Sequence, residues 1–77
     1  MENQIVYKIN YRQGEAVYLS IRNYKNRVYM DLRIFFKPKD SDEMRPTKKG
    51  ITVPFELIGE LKNGFLALEK KMRFSNG

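Results

Sequence analysis

Arg27-Val28-Tyr29-Met30-Asp31-Leu32-Arg33-Ile34-Phe35 is the stretch from which the fold is read: Val28, Met30, Leu32 and Ile34 fall on one side of an extended chain, Arg27, Tyr29, Asp31, Arg33 and Phe35 on the other. Successive side chains of a strand point to opposite faces, so this run predicts a strand over about 27–36 with one greasy and one charged face. Upstream, Val17, Leu19 and Ile21 alternate with Tyr18, Ser20 and Arg22, which predicts a strand over about 16–23. Further upstream Ile5, Tyr7, Ile9 and Tyr11 alternate with Val6, Lys8, Asn10 and Arg12, a strand over about 4–11. Gln13-Gly14 and Tyr24-Lys25-Asn26 read as the intervening turns.

Downstream, Lys37 to Thr47 is charged, contains Pro38 and Pro46 and has no apolar period, so it reads as a mobile hairpin loop. Lys49-Gly50-Ile51-Thr52-Val53 makes a short fourth strand, about 48–53. Past Pro54, which suits the first turn of a helix, the period changes: Leu57, Ile58, Leu61, Phe65, Leu68 and Met72 mark one stripe of an amphipathic helix over about 55–73. Gly59 and Gly64 weaken that helix by about 1 kcal/mol each relative to alanine. Glu56 and Glu60 near its start and Lys70, Lys71 and Arg73 near its end complement the helix dipole. The expected architecture is a single α+β domain over residues 1–77, four antiparallel strands followed by one helix. One helical stripe covers only part of such a sheet, so a second copy in a two-fold dimer is expected to bury the rest, with Leu57, Leu61, Phe65 and Leu68 at the interface.

At 77 residues the chain has a narrow margin of stability, since a domain of that size buries only about 60% of its unfolded surface. It has no cysteine and no histidine, which removes the usual thiol nucleophile, the usual general base and the main transition-metal ligands. An enzyme is therefore not expected, nor a cofactor or small-molecule substrate. Asp40, Asp42 and Glu43 lack the glycine and distal glutamate of a calcium loop, so no metal is expected there. No apolar run reaches the roughly 18–20 residues of a membrane span, and Met1-Glu2-Asn3-Gln4 has no secretory character. A soluble intracellular protein is expected, nuclear in a eukaryote and cytoplasmic in a bacterium or phage-infected cell.

The net charge is +6, and between Arg22 and Gly50 nine basic residues stand against four acids, so five of the six excess charges lie mid-chain. There the polar face of strands two and three offers Tyr18, Ser20, Arg22, Arg27, Tyr29, Arg33 and Phe35, with Tyr24 and Lys25 in the adjoining turn. Rings and cations suit ordinary cross-strand filler and a solvated face. Their interleaving favours single-stranded nucleic acid, whose phosphates take arginine and lysine and whose unpaired bases stack on rings for about 1–3 kcal/mol each. Lys48-Lys49-Gly50 is a candidate phosphate grip, although a short basic run is commonly just solvated. Asp31, flanked by Arg33 and on the same face as Arg27, reads as an ion-pairing residue rather than a catalytic acid.

The runs Tyr18-Leu19-Ser20-Ile21-Arg22-Asn23-Tyr24-Lys25-Asn26-Arg27-Val28, Met30-Asp31-Leu32-Arg33, Glu43-Met44-Arg45-Pro46 and Lys48-Lys49-Gly50-Ile51-Thr52, in that order, resemble the C-terminal domain of the transcriptional coactivator positive cofactor four. The resemblance covers roughly Gly14 to Met72. It implies a homodimer of curved antiparallel sheets whose C-terminal helices pack at the interface and whose channels bind single strands or melted duplex with little sequence preference. It carries nucleic-acid contacts to Arg22, Tyr24, Lys25, Arg27, Arg33, Phe36, Arg45 and Lys49.

Three departures stand out. Glu15 occupies the place of a contacting lysine, which weakens that end of the channel unless Arg12 compensates; Phe36 replaces a tryptophan; and the loop is about one residue longer, which shifts the register of Arg45 by up to one position. Strict alternation puts Phe36 with Ile34 on the greasy face, whereas the resemblance puts it on the nucleic-acid face, and a bulge or a strand end near Phe35 would reconcile the two. The Ser- and Lys-rich tail that precedes the domain in the eukaryotic coactivator is absent, as in a trimmed piece or a minimal version such as bacteria and phages carry.

The expected function is a dimeric single-stranded DNA-binding protein in transcription, replication or repair. The alternatives are a coactivator acting mainly as a protein-interaction module on the transcription machinery, or an RNA-binding protein.

Overall fold

The structure, a computed structural model, describes residues 2–75. Four strands, β1 (Glu2–Arg12), β2 (Glu15–Tyr24), β3 (Arg27–Phe36) and β4 (Arg45–Pro54), form one antiparallel sheet in the order β1-β2-β3-β4. A 3₁₀ turn, Phe55–Leu57, leads into helix α1 (Ile58–Ser75). The expected ββββα order is present. Pro54 sits just ahead of the 3₁₀ turn, and this tighter turn occupies the first residues expected to be α-helical.

The β2–β3 hairpin is the regular part of the sheet. Its register runs unbroken from Glu15 opposite Phe36 to Tyr24 opposite Arg27. Two residues close it, Lys25 (φ 50) and Asn26 (φ 65), both left-handed. That is the hairpin turn whose twist matches the strands it joins. Gly14 (φ 79) serves the turn between β1 and β2.

Both outer strands depart from the expected pattern. In β1, Ile5 lies opposite Ser20 but Tyr7 lies opposite Leu19, so one extra residue at Val6 reverses the parity, with a second irregularity between Asn10 and Arg12. Ile5 therefore shares a face with Lys8 and Asn10 rather than with Tyr7 and Ile9. β4 starts at Arg45 rather than near residue 48, because Arg45 and Pro46 pair with Phe36 and Phe35. Proline is tolerated there because β4 is an edge strand. Between Pro46 and Gly50 the strand bulges opposite Ile34. The Thr47 hydroxyl repairs the broken ladder by donating to the Ile34 carbonyl (2.7 Å) and accepting from the Lys49 N–H (3.1 Å).

The burial pattern also differs from expectation. The most buried side chains are Ala16, Tyr18, Ser20 and Asp31 on the charged face, joined by Met30 from the other. Val17, Leu19, Ile21, Leu32 and Ile34 are only half-buried. The body of α1 stands off the sheet, and the contact between them runs through the 3₁₀ turn against β3. Phe55 and Ile58, with Val6, Tyr7, Leu19, Ile21 and Met30, line an apolar hollow of about 270 Å³. Along the helix stripe Leu57, Ile58, Phe65, Leu68 and Met72 remain exposed within one chain, and only Leu61 is half-buried.

Gly50 sits where the sheet admits no side chain. A Cβ there would lie 2.6 Å from the Leu32 carbonyl oxygen and 2.8 Å from both Cα and Cβ of Arg33. Gly50→Ala is expected to destabilise the protein by about 1–3 kcal/mol, the usual cost of forcing atoms into a packed site. Chemical denaturation checks this, and a midpoint equal to that of the unaltered protein would show that β3 and β4 are not this close.

Candidate nucleic-acid interface

Alternation and register together assemble one functional face. Tyr24 lies beside Arg27, Arg22 beside Tyr29, Ser20 beside Asp31, Tyr18 beside Arg33 and Ala16 beside Phe35. In three of these pairs a ring stands opposite a cation, so rings and positive charge alternate across the hairpin as well as along β3. At the turn end the Lys25 ammonium lies 5.3 Å from the centre of the Tyr24 ring, and the Arg27 guanidinium 5.6 Å from that of Tyr29. Arg22, Tyr24, Tyr29 and Thr52 line a hollow of about 280 Å³, with the Tyr24 ring half-exposed at its rim. At the other end Tyr18 stacks on Phe35 with centroids 4.4 Å apart, and the Lys8 ammonium caps Tyr18 at 5.4 Å.

Asp31 organises the middle. It is 4% exposed and accepts two parallel hydrogen bonds from Arg33, at 3.0 Å each, and one from the Thr52 hydroxyl. Arg22 approaches it at 3.9 Å. Burial pushes the carboxyl up, but the bonds from Arg33 and Thr52 and the two guanidinium charges outweigh it and hold Asp31 below its ordinary value. The same pair raises Arg33. Arg33 also donates to the Thr47 carbonyl at 3.0 Å and to Thr52 at 3.4 Å, so it is largely engaged with the protein itself. The ion pair expected of Asp31 thus forms with Arg33 and Arg22, while Arg27 pairs with exposed Glu56 at 3.3 Å. An exposed pair of that kind contributes little, about 0–1 kcal/mol, and leaves Arg27 available.

Of the residues singled out in the sequence, Arg22, Tyr24, Arg27 and Arg33 come together on this face, and Lys25 sits at the hairpin tip. Phe36 and Arg45 face each other at the far end of the sheet. The β2–β3 register is regular through Phe36, so alternation puts that ring on the side opposite Phe35, at the strand end and 38% exposed. The irregularity near it belongs to β4 and carries the exposed Lys48 and Lys49. Glu15 also pairs with Phe36, and Arg12 holds its carboxylate at 3.2 Å, which offsets the acid where the resemblance expects a lysine. β1 contributes more than its sequence suggests. Asn3 accepts a hydrogen bond from Arg22 (3.2 Å), and Lys8 and Asn10 extend the charged face beside Tyr18 and Ala16. The parity change at Val6 is what aligns Ile5 and Asn3 with that face, and no residue type in 2–12 announces it.

Comparison with known proteins adds the context. A family model described as transcriptional coactivator p15 (PC4) matches residues 12–64. A PC4 homolog from Burkholderia pseudomallei superposes with a TM-score of 0.81 at 24% identity, over 88% of this chain and 98% of that one, a likeness of fold. The bacteriophage T5 homolog of the eukaryotic coactivator PC4, implicated in recombination-dependent DNA replication, superposes with a TM-score of 0.66 at 25% identity, over 99% of this chain and 83% of that one.

Because the folded-state value of Asp31 is lowered, its contribution to stability is present above the unfolded value of 3.8 and lost as pH falls through the folded one. Asp31→Asn is expected to cost about 1–3 kcal/mol at neutral pH, the range for leaving buried donors poorly matched. It should also flatten the fall in stability between about pH 5 and pH 2. Urea midpoints across that range check both effects, and identical acid limbs for the two proteins would refute this role for Asp31.

Proposed function

The chain belongs to the transcriptional coactivator p15 (PC4) family, and from that premise we propose that it is a dimeric, non-enzymatic single-stranded DNA-binding protein with little sequence preference. The observation that carries the reading is the ring-against-cation pairing across β2 and β3. Phosphates need the cations and unpaired bases need the rings, whereas a duplex keeps its base faces stacked and rewards the rings far less. Tyr24 is the stacking residue at the rim of the Arg22–Tyr29–Thr52 hollow, and Lys25 and Arg27 neutralise backbone phosphates beside it. Arg33 contributes by holding the face together with Asp31 as much as by touching DNA. Lys48 and Lys49 at the β4 bulge form a second group of contacts at the border of the face, whereas Phe36 and Arg45, turned to the other side at the sheet end, touch a strand only where it passes around that end.

Dimerisation is supported by what one chain leaves uncovered. The helix stripe and the half-buried face of Val17, Leu19 and Ile21 are complementary in character, and the hollow of Leu19, Ile21, Met30, Phe55 and Ile58 is mainly apolar. A second copy that covers both completes the core of a domain too small to bury it alone. Such a module acts inside the cell wherever strands are separated, in transcription, replication or repair, and contact with the transcription machinery is a further role in keeping with the family's description.

Fluorescence anisotropy with labelled oligodeoxythymidine of about 20 nucleotides tests the reading. Tight binding is expected, resistant to duplex of equal length, with log affinity falling against log salt at about 0.7 per phosphate engaged. Tyr24→Ala is expected to weaken binding by about 1–3 kcal/mol, the worth of one stacked base. Equal competition by single strand and duplex, or affinity indifferent to salt, would rule the mechanism out. Sedimentation should give twice the 9.2 kDa chain mass, reduced to the single chain by Phe65→Asp with Leu68→Asp. A monomer in the unaltered protein would remove the dimer from the proposal.

A further inference from the structure

We infer that Glu56 is an internal competitor of the nucleic-acid strand: its carboxylate occupies the Arg27 guanidinium in the free protein and has to be displaced before a phosphate takes that place. The inference rests on the single-strand reading above and adds to it a residue that weakens binding. The Glu56 carboxylate meets Arg27 at 3.3 Å. Arg27 stands beside Tyr24 across the hairpin, with its guanidinium 5.6 Å from the centre of the Tyr29 ring. The acid therefore lies at the end of the charged face where Tyr24 and Lys25 are exposed.

This placement is a product of the fold and not of neighbouring sequence. Glu15 reaches Arg12 across one turn and Asp42 reaches Lys37 within one loop, as acids near bases in any charged chain do. Glu56 is 29 residues from Arg27, and the 3₁₀ turn Phe55–Leu57 delivers it where that turn packs against β3. An acid near the start of a helix also complements its dipole, but Glu60 already does so in the first turn of α1. The side chains of Arg27 and Glu56 are 57% and 67% exposed, so the pair is open to a ligand and holds weakly. It lowers affinity without blocking the site. A strand exchanges one carboxylate for one phosphate at Arg27, and the displaced acid is left beside a line of negative charge. Because Glu56 rides on the turn that leads into α1, the mask and the helix start are linked, and such linkage is reciprocal. A strand seated on Arg27 releases the turn from this tie, and whatever lifts the turn bares Arg27.

Anisotropy with oligodeoxythymidine of about 20 nucleotides tests this on Glu56→Gln, Glu69→Gln, Arg27→Gln and the double variant Arg27→Gln with Glu56→Gln, at about 20 mM salt, where the remaining cations still hold the strand. Glu69 is the control, since it is also an exposed acid paired with an arginine, Arg73 at 3.2 Å, but on α1. Glu56→Gln is expected to tighten binding about two- to fivefold, within the range that an exposed ion pair spans, and the gain should shrink as salt rises. Glu69→Gln should give a clearly smaller gain, and Glu56→Gln should change nothing once Arg27 is replaced. Unchanged or weaker binding by Glu56→Gln, an equal gain from Glu69→Gln, or a gain that survives Arg27→Gln overturns the inference, while tight binding by the unaltered protein leaves the main reading standing. If the unaltered protein does not bind the strand, both fall together.

Discussion

The buried carboxylate of Asp31 is the interaction on which the charged face depends. It joins three strands: Arg22 from β2, Arg33 from β3 and Thr52 from β4 all converge on it. Clustered guanidinium groups on a small sheet repel one another, and a fully solvated set would sample many rotamers. One acid at 4% exposure removes both problems, because it offsets nearby positive charge and supplies two fixed oxygens for the planar fork of Arg33. Removing Asp31 would leave the part-buried Arg33 and Arg22 guanidinium groups side by side without their shared counter-charge. The same logic explains Gly50. Arg33 must lie flat against β4 to reach the Thr47 carbonyl and Thr52, and only a residue without Cβ lets the strands approach there.

The two faces of the sheet solve opposite problems. The charged face is nearly complete within one chain, since Tyr18, Phe35 and Lys8 cover one another and Asp31 satisfies its neighbours. The greasy face is unfinished, with its aliphatic side chains half-buried and the helix held away from it. A charged face that is self-supporting presents its rings and cations in fixed positions, while the apolar face keeps area whose covering the hydrophobic effect rewards in proportion to what is removed from water. The charged surface and the unfinished apolar surface are thereby separated by the thickness of one sheet.

Legibility in the sequence followed the regularity of pairing. The β2–β3 hairpin was readable to within a residue because both strands alternate strictly and share one unbroken register, and the set of side chains on its charged face followed directly. β1 alternates just as well in sequence, yet its parity reverses at Val6, since a bulge is decided by the partner strand and not by the residues that form it. The start of β4 was hidden for a different reason. Arg45-Pro46-Thr47 carries no apolar period, and its strand character comes from pairing with Phe36 and Phe35 alone. The helix stripe was visible from its spacing, but periodicity identifies an apolar face without naming what covers it. At the site, residue types pointed to an ion pair at Asp31, while the choice of Arg33 and Arg22 over Arg27 required the rotamers of all three.

The turn at Lys25-Asn26 is the remaining point where local preference and the observed backbone disagree. Both residues are left-handed, a conformation for which Asn-Gly is the favoured pair, and a lysine held there costs on the order of 1 kcal/mol or more. A glycine would make a more stable hairpin but would leave the tip uncharged. With lysine in place, an ammonium stands over the Tyr24 ring at 5.3 Å, next to Arg27 and the hollow beneath. Strain that persists in an otherwise regular hairpin is accounted for by what the strained residue presents to the outside. Here it presents a cation at the end of the face where the rings are most exposed, so the cost in turn stability is matched by charge placed beside the Tyr24 ring.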